Sequence, residues 1–472
     1  MICDAWCHLA AVIYLISTGL CAGARGDVLK ATSLPLFPQK PFALIWNAPT
    51  EECRPRHKVD LNFDQFQVRA TPNEGFVAQN LTIFYKDRLG LYPYITEKSE
   101  NINGGLPQLA SLQEHLAKMP EGVNKYIRDT KKKGLAVIDW EEWRPLWIRN
   151  WEAKDIYRYK SRLEVARQNP SWTKEQVNKA AQMEFEVSAK HFILETLKVA
   201  KNLRPEQLWG FYLFPDCYNH DYKNSLENYT GRCPDVEISR NDQLAWLWQE
   251  STALFPSIYM DPKLQSTEFG QQFVRNRVKE AMRVASIGDG LARPVFVYTR
   301  PTYINGMMLL SEMDLVSTIG ESAALGAAGV IFWGEAMYSS SPENCRTLKN
   351  YLEDLLGRYL FNVSKAAELC SSARCSSNGR CVRLNTNQNV YLHLNPSSFK
   401  ISRVTNNFVL TGSMSTTDTK AFSRDFVCQC YSGYKGGSCE TDEAVGSRGT
   451  TPFLIPIVVH VFTMLALTLF YQ

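Results

Sequence analysis

Short runs of apolar, β-branched and aromatic residues recur along this chain, separated by longer segments with helical spacing. The short runs fall at residues 42–46, 135–140, 209–214, 255–260, 295–298 and 329–333. Apolar runs of this length without polar alternation predict strands buried on both faces, as in a parallel sheet. Residues 180–200 space Met183, Val187, Phe192 and Leu197 at helical intervals, and residues 273–284 and 315–325 repeat that pattern. Strand and helix alternating through residues 25–361 predict an α/β fold, an irregular TIM-like (β/α) barrel. A doubly wound sheet is the competing arrangement. No glycine-rich loop follows an early strand, so a dinucleotide site has no support.

Apolar segments also stand at both ends. Residues 9–20 are mostly apolar and lead into Cys21, Ala22, Gly23 and Ala24, which predicts a signal peptide over residues 1–24 despite the missing basic start. Residues 451–472 are nearly uncharged and follow small and polar residues at 444–451. That order predicts a spacer and glycosylphosphatidylinositol-anchor signal over residues 441–472, with a single C-terminal spanning helix as the alternative.

Composition narrows the class. With 45% hydrophobic and 21% charged residues the chain is globular rather than disordered. A net charge of +4 is too small for its length to suggest nucleic-acid binding, and the basic run Lys131–Lys133 reads as a solvated helix end. Of 13 cysteines, Cys3, Cys7 and Cys21 fall in the predicted signal, which leaves an even number. In an exported chain these predict disulfides, and the sequons at Asn80, Asn228 and Asn362 fit the same compartment. The cysteines crowd between Cys370 and Cys439, in a stretch rich in Ser, Thr, Asn and Gly. Residues 362–440 therefore predict a small disulfide-rich module. Its end, Cys430 to Cys439, has epidermal-growth-factor-like spacing, although the segment between Cys381 and Cys428 is long for such a module.

The chemistry gathers at strand ends. The run at 135–140 passes into Asp139 and Glu141, two positions apart, so an extended chain puts both on one side. Two carboxylates that close resist joint ionisation, which raises at least one pKa, as a general acid for a glycosidic oxygen requires. A structural ion pair with Arg144 is the competing reading. Trp140, Trp143 and Trp147 flank the acids and could stack on sugar faces. Other runs end similarly: Tyr212, Asp216 and Tyr218 follow one strand, Tyr259 another and Trp333 a third. Strand ends of this kind build the site of an α/β barrel. The seven histidines are scattered without a His-Glu-x-x-His motif, so no metal or cofactor is expected.

Longer motifs carry a resemblance. Pro72-Asn-Glu-Gly-Phe76, Ile83-Phe-Tyr-Lys-Asp-Arg-Leu-Gly-Leu-Tyr-Pro93, Ala136-Val-Ile-Asp-Trp-Glu-Glu-Trp-Arg-Pro145, Trp209-Gly-Phe-Tyr-Leu-Phe-Pro-Asp-Cys-Tyr-Asn219 and Pro256-Ser-Ile-Tyr259 are examples. On these residues the chain resembles the animal hyaluronidases, most closely their membrane-anchored type. The resemblance implies endo-hydrolysis of β-1,4 bonds in hyaluronan with retained configuration, the substrate's acetamido group acting as nucleophile. It implies Glu141 as acid and base, Asp139 as orienter of the acetamido group, Tyr259 as its hydrogen-bond partner, and Tyr212 and Trp333 as pocket walls. Asn47, Tyr85, Asp216 and Arg277 match groove or supporting positions, Arg277 facing a glucuronate carboxylate. His220 departs from some relatives, which have tyrosine there. The resemblance also implies the pairs Cys53–Cys345, Cys217–Cys233, Cys370–Cys381, Cys375–Cys428 and Cys430–Cys439. It places the enzyme on the outer cell surface, with hyaluronan, and further chondroitin or its sulfates, as substrates. A chondroitin-selective hydrolase and a low-activity hyaluronan-binding receptor are the alternatives.

Overall fold

The computed structural model describes residues 29–71 and 79–442. The predicted signal peptide, the motif at residues 72–76 and all of the anchor signal beyond residue 442 lie outside the described residues. Seven parallel strands form the barrel: β1 Ala43–Trp46, β2 Val68–Arg69, β3 Leu81–Tyr85, β4 Gly134–Asp139, β5 Gln207–Phe211, β6 Phe296–Thr299 and β7 Gly329–Phe332. They pair in two arcs, β2-β1-β7-β6 and β3-β4-β5. Bridges Tyr212–Phe255, Leu254–Val295 and Ser257–Tyr298 join the arcs. Among the described residues no pairing links β2 to β3, so the ring is irregular there.

The run at 255–260 is thus not the regular strand its apolar pattern predicts. Pro256 offers a carbonyl to the Tyr298 N–H but has no N–H to return, and the segment pairs only by single bridges. The strands β2 and β3 were not predicted, β2 being two residues long.

Alternation sorts the strand residues into two cores. Ala43, Ile45, Leu81, Ile83, Leu135, Val137, Phe255, Phe296, Tyr298 and Ile331 fill the barrel interior. Leu44, Trp46, Phe84, Ala136, Ile138, Trp209, Val297, Val330 and Phe332 face outward into the helices. Gly210 is required where the bridging segment crosses β5, because a Cβ there would meet the Ala253 carbonyl oxygen at 2.2 Å.

The long helix Lys174–Leu203 starts on a Thr173–Gln176 capping box and buries Ala181, Phe185, Ala189, Phe192 and Leu197. Met183 and Val187, predicted on its apolar face, are exposed instead. Each lies two positions from Phe185, about 200° round the helix and hence on the opposite side. The predicted helix at 315–325 forms, widened by a π-helical turn at Val316–Gly320.

Helix Leu355–Cys375 runs through the predicted domain boundary at 361 and delivers Cys370 and Cys375 to the C-terminal module. Disulfides join Cys53–Cys345, Cys217–Cys233, Cys370–Cys381, Cys375–Cys428 and Cys430–Cys439. The long segment between Cys381 and Cys428 contains a hairpin, Phe399–Val404 with Asn407–Gly412, and the helix Thr416–Asp425. Barrel and module meet on the buried Glu321 carboxylate, which takes Arg275 from a barrel helix and Arg383 from the module's first strand. Of the sequons, Asn228 is exposed, Asn80 is half-buried at the entry to β3, and Asn362 lies on the boundary helix with its Oδ1 accepting from Leu394 N.

His115 is buried beside Trp140 and Phe192. Its Nδ1 accepts from the Leu91 N–H and its Nε2 lies 2.9 Å from Thr196 Oγ1, the pattern of a neutral ring. Burial lowers its pKa to about 4. As pH falls, the unfolded chain protonates this group near about 6.5 but the folded chain only near 4, so its contribution to stability is lost across that window. Chemical denaturation at a series of pH values should therefore show wild type losing stability between pH 6.5 and 4 more steeply than His115→Asn. Equal slopes would contradict neutral burial.

Candidate functional site

The interior series continues past the strand ends into a cavity of about 260 Å³. Its walls are Ile83, Val137, Asp139, Glu141, Tyr212, Tyr259, Tyr298, Arg300 and Trp333. Asp139 ends β4 on the interior parity of Leu135 and Val137, and Glu141 takes the next interior position. Parallel register sets Tyr85 opposite Asp139. Trp333 is held one step beyond β7 by its N–H to the Thr299 carbonyl.

The two acids differ in setting. Asp139 is half-buried, whereas the Glu141 side chain is 49% exposed. Burial first, then the neighbouring Glu141 and Glu142 charges, push the Asp139 carboxyl up to about 7. Asp139 and Glu141 follow one another on the interior side of one strand end, close enough for the Glu141 charge to resist ionisation of Asp139. Arg144 does contact Glu141, at 3.4 Å from its carboxylate and 3.0 Å from its carbonyl, which anchors the turn while Glu141 still lines the cavity. Glu142 pairs with Lys86 outside the cavity wall.

Three tyrosines make the facing wall. Burial raises Tyr212, Tyr259 and Tyr298, so all three are neutral phenols able to donate a hydrogen bond. The Tyr212 and Tyr259 hydroxyls adjoin each other. Asp139 Oδ1, Tyr298 Oη and Arg300 Nε are buried with no hydrogen-bond partner among the described residues. Buried polar atoms are rarely left so, and their convergence on one cavity marks a binding site.

Of the sequence-predicted site residues, Asp139, Glu141, Tyr212, Tyr259 and Trp333 meet in this cavity. Tyr85 stands beside it, under the Arg88 guanidinium and within the field of Asp139. Asn47 is fully buried one step past β1, its Nδ2 on the Ala70 carbonyl, and does not line the cavity. Arg277 does not face a groove. It is 5% exposed, and its three nitrogens bond Ser257 O, Asn219 Oδ1 and Asp216 Oδ1. Asp216 also accepts from the Cys217 and Tyr218 N–H groups, and despite burial its carboxyl is held below the usual range by Arg277 and those bonds. This pair therefore braces the loop after β5. Trp140, Trp143 and Trp147 are core rather than sugar platforms, the first two stacked on Tyr92 and the third against Phe185. His220 packs on Phe273 and Tyr222, away from the cavity.

Two polar wall residues were missed, Tyr298 and Arg300, besides the apolar Ile83 and Val137. The signal was available: Tyr298 closes a predicted strand and Arg300 follows two positions later, the same spacing that picked out Asp139 and Glu141.

Comparison with known proteins settles the family. A glycoside hydrolase family model described as hyaluronidase matches residues 31–443. The chain belongs to the hyaluronidase family. Similar family members include mouse hyaluronidase-2, 54% identical over 417 residues, covering 87% of this chain and 88% of that protein. Bovine hyaluronidase-2 is 53% identical over 431 residues, covering 90% and 91%. Hyaluronidase-1 of the viper Bitis arietans is 44% identical, covering 92% and 96%. Bee venom hyaluronidase, also solved with a hyaluronic acid tetramer, superposes with a TM-score of 0.57 at 30% identity, covering 68% of this chain. The chain is thus an enzyme of the hyaluronidase, glycoside hydrolase type, on a (β/α)-barrel-like fold with a disulfide-rich C-terminal module.

The Arg277 geometry gives a test. Arg277→Met leaves the Asp216 carboxylate buried without its counter-ion, which should cost about 3–5 kcal/mol of folding stability in denaturant titration. A substrate-binding role would instead raise KM and leave stability unchanged.

Proposed function

We propose that this chain hydrolyses the β-1,4 bond between N-acetylglucosamine and glucuronate in hyaluronan, with retention of configuration and with the substrate's acetamido group as nucleophile. Family membership supports the substrate. The observation that carries the mechanism is the closeness of Asp139 and Glu141. A retaining enzyme that uses a carboxylate nucleophile holds its two acids about 5–5.5 Å apart, on opposite sides of the scissile bond. Two carboxyls two positions apart at one strand end stand on the same side of the cleft and do not flank a sugar ring, which supports a nucleophile supplied by the substrate.

In this reading Glu141, the more exposed acid, gives its proton to the glycosidic oxygen as the bond to the anomeric carbon breaks. The acetamido carbonyl oxygen attacks that carbon from the other face and closes an oxazolinium ring. Asp139 accepts a hydrogen bond from the acetamido N–H and orients that group for attack. Tyr259 and Tyr212 hold the acetamido oxygen before attack, and Trp333 closes the pocket on the sugar. Glu141, now a carboxylate, takes a proton from water. That water adds to the anomeric carbon and reopens the ring. Two inversions leave the configuration unchanged.

Glu141→Gln should lower kcat on hyaluronan by about 10²–10⁴-fold, the usual worth of a positioned acid–base group. Unchanged release of reducing ends would overturn the mechanism. Because burial and the neighbouring Glu141 and Glu142 charges push the Asp139 carboxyl up to about 7, wild-type activity should fall as pH rises through 7 and Asp139 loses its proton. Asp139→Asn should lower kcat and remove that alkaline limb. Proton NMR of the first product should show the β-anomer, and an α-anomer would contradict retention.

Chondroitin has the same alternation of acetamido sugar and uronate, so we infer that it is a second, slower substrate. Product analysis on both polymers decides the order. Five disulfides support an oxidising compartment outside the cytosol. Among the described residues no helix is long and apolar enough to cross a membrane. We infer attachment to the cell surface through a lipid anchor. A phosphatidylinositol-specific phospholipase should release the protein from cells, and retention after active lipase treatment would favour a spanning helix.

A further inference from the structure

Arg300 has no role in the mechanism above, yet among the described residues it is the one cation on the cavity wall. It reaches the wall two positions past Tyr298, and its guanidinium lies 4.6 Å over the Tyr259 ring. Its side chain is 12% exposed, and its Nη1 pairs with Glu335, whose side chain is 36% exposed. The Arg300 Nε is buried without a partner among the described residues. The pairing is therefore incomplete on the arginine side, and the counter-ion is the more solvated member. Arg300 follows β6 in one arc of strands, whereas the acid pair stands at the end of β4 in the other. The cleft thus presents a carboxyl pair on one wall and a guanidinium on another.

That polarity matches the repeat of a polymer that alternates an acetamido sugar with a carboxylate sugar. The acid pair suits the acetamido unit, and a planar guanidinium suits a carboxylate, which it can grip with two parallel hydrogen bonds. Arg277, the sequence candidate for this task, is consumed by Asp216, Asn219 and Ser257. We propose that Arg300 binds the uronate carboxylate of the sugar next to the cleaved N-acetylglucosamine, and that Glu335 holds the guanidinium over Tyr259 and competes with that carboxylate. The proposal rests on the hyaluronan reading. It adds the residue that selects a uronic acid polymer over a neutral one.

The test compares Arg300→Met, which keeps much of the stem packed on Tyr259, with Glu335→Gln and wild type. Substrates are hyaluronan oligosaccharides and the same oligosaccharides with their carboxylates methyl-esterified. Arg300→Met should raise KM for hyaluronan about tenfold or more, the loss of a charge-assisted hydrogen bond, and raise KM more than it lowers kcat. On the esterified substrate wild type and Arg300→Met should differ by less than about twofold, since no carboxylate is left to lose. Glu335→Gln should lower KM for hyaluronan or leave it unchanged. The proposal is overturned if Arg300→Met leaves KM for hyaluronan unaltered, if it damages both substrates equally, or if Glu335→Gln raises KM as Arg300→Met does. Absence of wild-type cleavage would count against the hyaluronan reading itself. Calorimetric binding of the same two oligosaccharides then decides this proposal: selective loss of affinity for the carboxylate form in Arg300→Met upholds it, and equal affinity sinks it.

Discussion

Parallel hydrogen-bond register sets the height of every side chain in the cleft. Tyr85 is level with Asp139 because β3 and β4 pair residue for residue from Leu81–Leu135 upward. The next pairing puts Ile138 opposite Phe211, which brings Tyr212 level with Asp139. On the other arc, Thr299 opposite Phe332 makes Arg300 and Trp333 neighbours. Side chains alternate between two cores, so each interior series of small or branched residues ends on a polar or aromatic one at the rim. A slip of one residue in any pairing would send that strand's reactive side chain into the helical layer. Catalytic geometry and barrel packing are thus one constraint.

Charge is handled differently inside and outside the cavity. Several buried carboxylates away from it are paired with arginine: Asp216 by Arg277, with two backbone N–H groups, Glu321 by two arginines, Glu237 by Arg149 and Arg240. Such pairs cost desolvation but place loops and domains with little freedom, and Glu321 does so across the junction of barrel and module. Asp139, in contrast, is buried next to another carboxyl, and the result is a proton retained near neutrality. Asp139 Oδ1, Tyr298 Oη and Arg300 Nε are among the buried polar atoms left unpaired, and the cost of leaving them so is met by the surrounding packed core.

Much of this was legible in the residue order. Apolar runs located five of the seven barrel strands, because strands buried on both faces read as continuous apolar stretches. Spacing of two brought Asp139 and Glu141 together, and strand ends pointed to Tyr212, Tyr259 and Trp333. Errors arose where a local pattern lacked a direction. Met183 and Val187 satisfy helical spacing with each other, but Phe185 and Ala189 decide which face is inward. The three tryptophans beside the acids are equally suited to sugar and to core, and the layer of Tyr92 and Phe185 behind them took all three.

The sequence by itself determined the fold class, the acid pair and the compartment, since these follow from periodicity, near-neighbour spacing and cysteine number. Only the tertiary structure decided which of two arginines is available to a substrate. Arg277 and Arg300 are chemically alike along the chain. Arg277 rises from a helix behind the barrel, where Asp216, Asn219 and Ser257 each take a hydrogen bond from one of its three nitrogens. Arg300 leaves a strand end on the interior parity and meets one half-exposed carboxylate. A guanidinium's partners come from distant parts of the chain, so its role is set by what folds against it and not by its own neighbours in sequence.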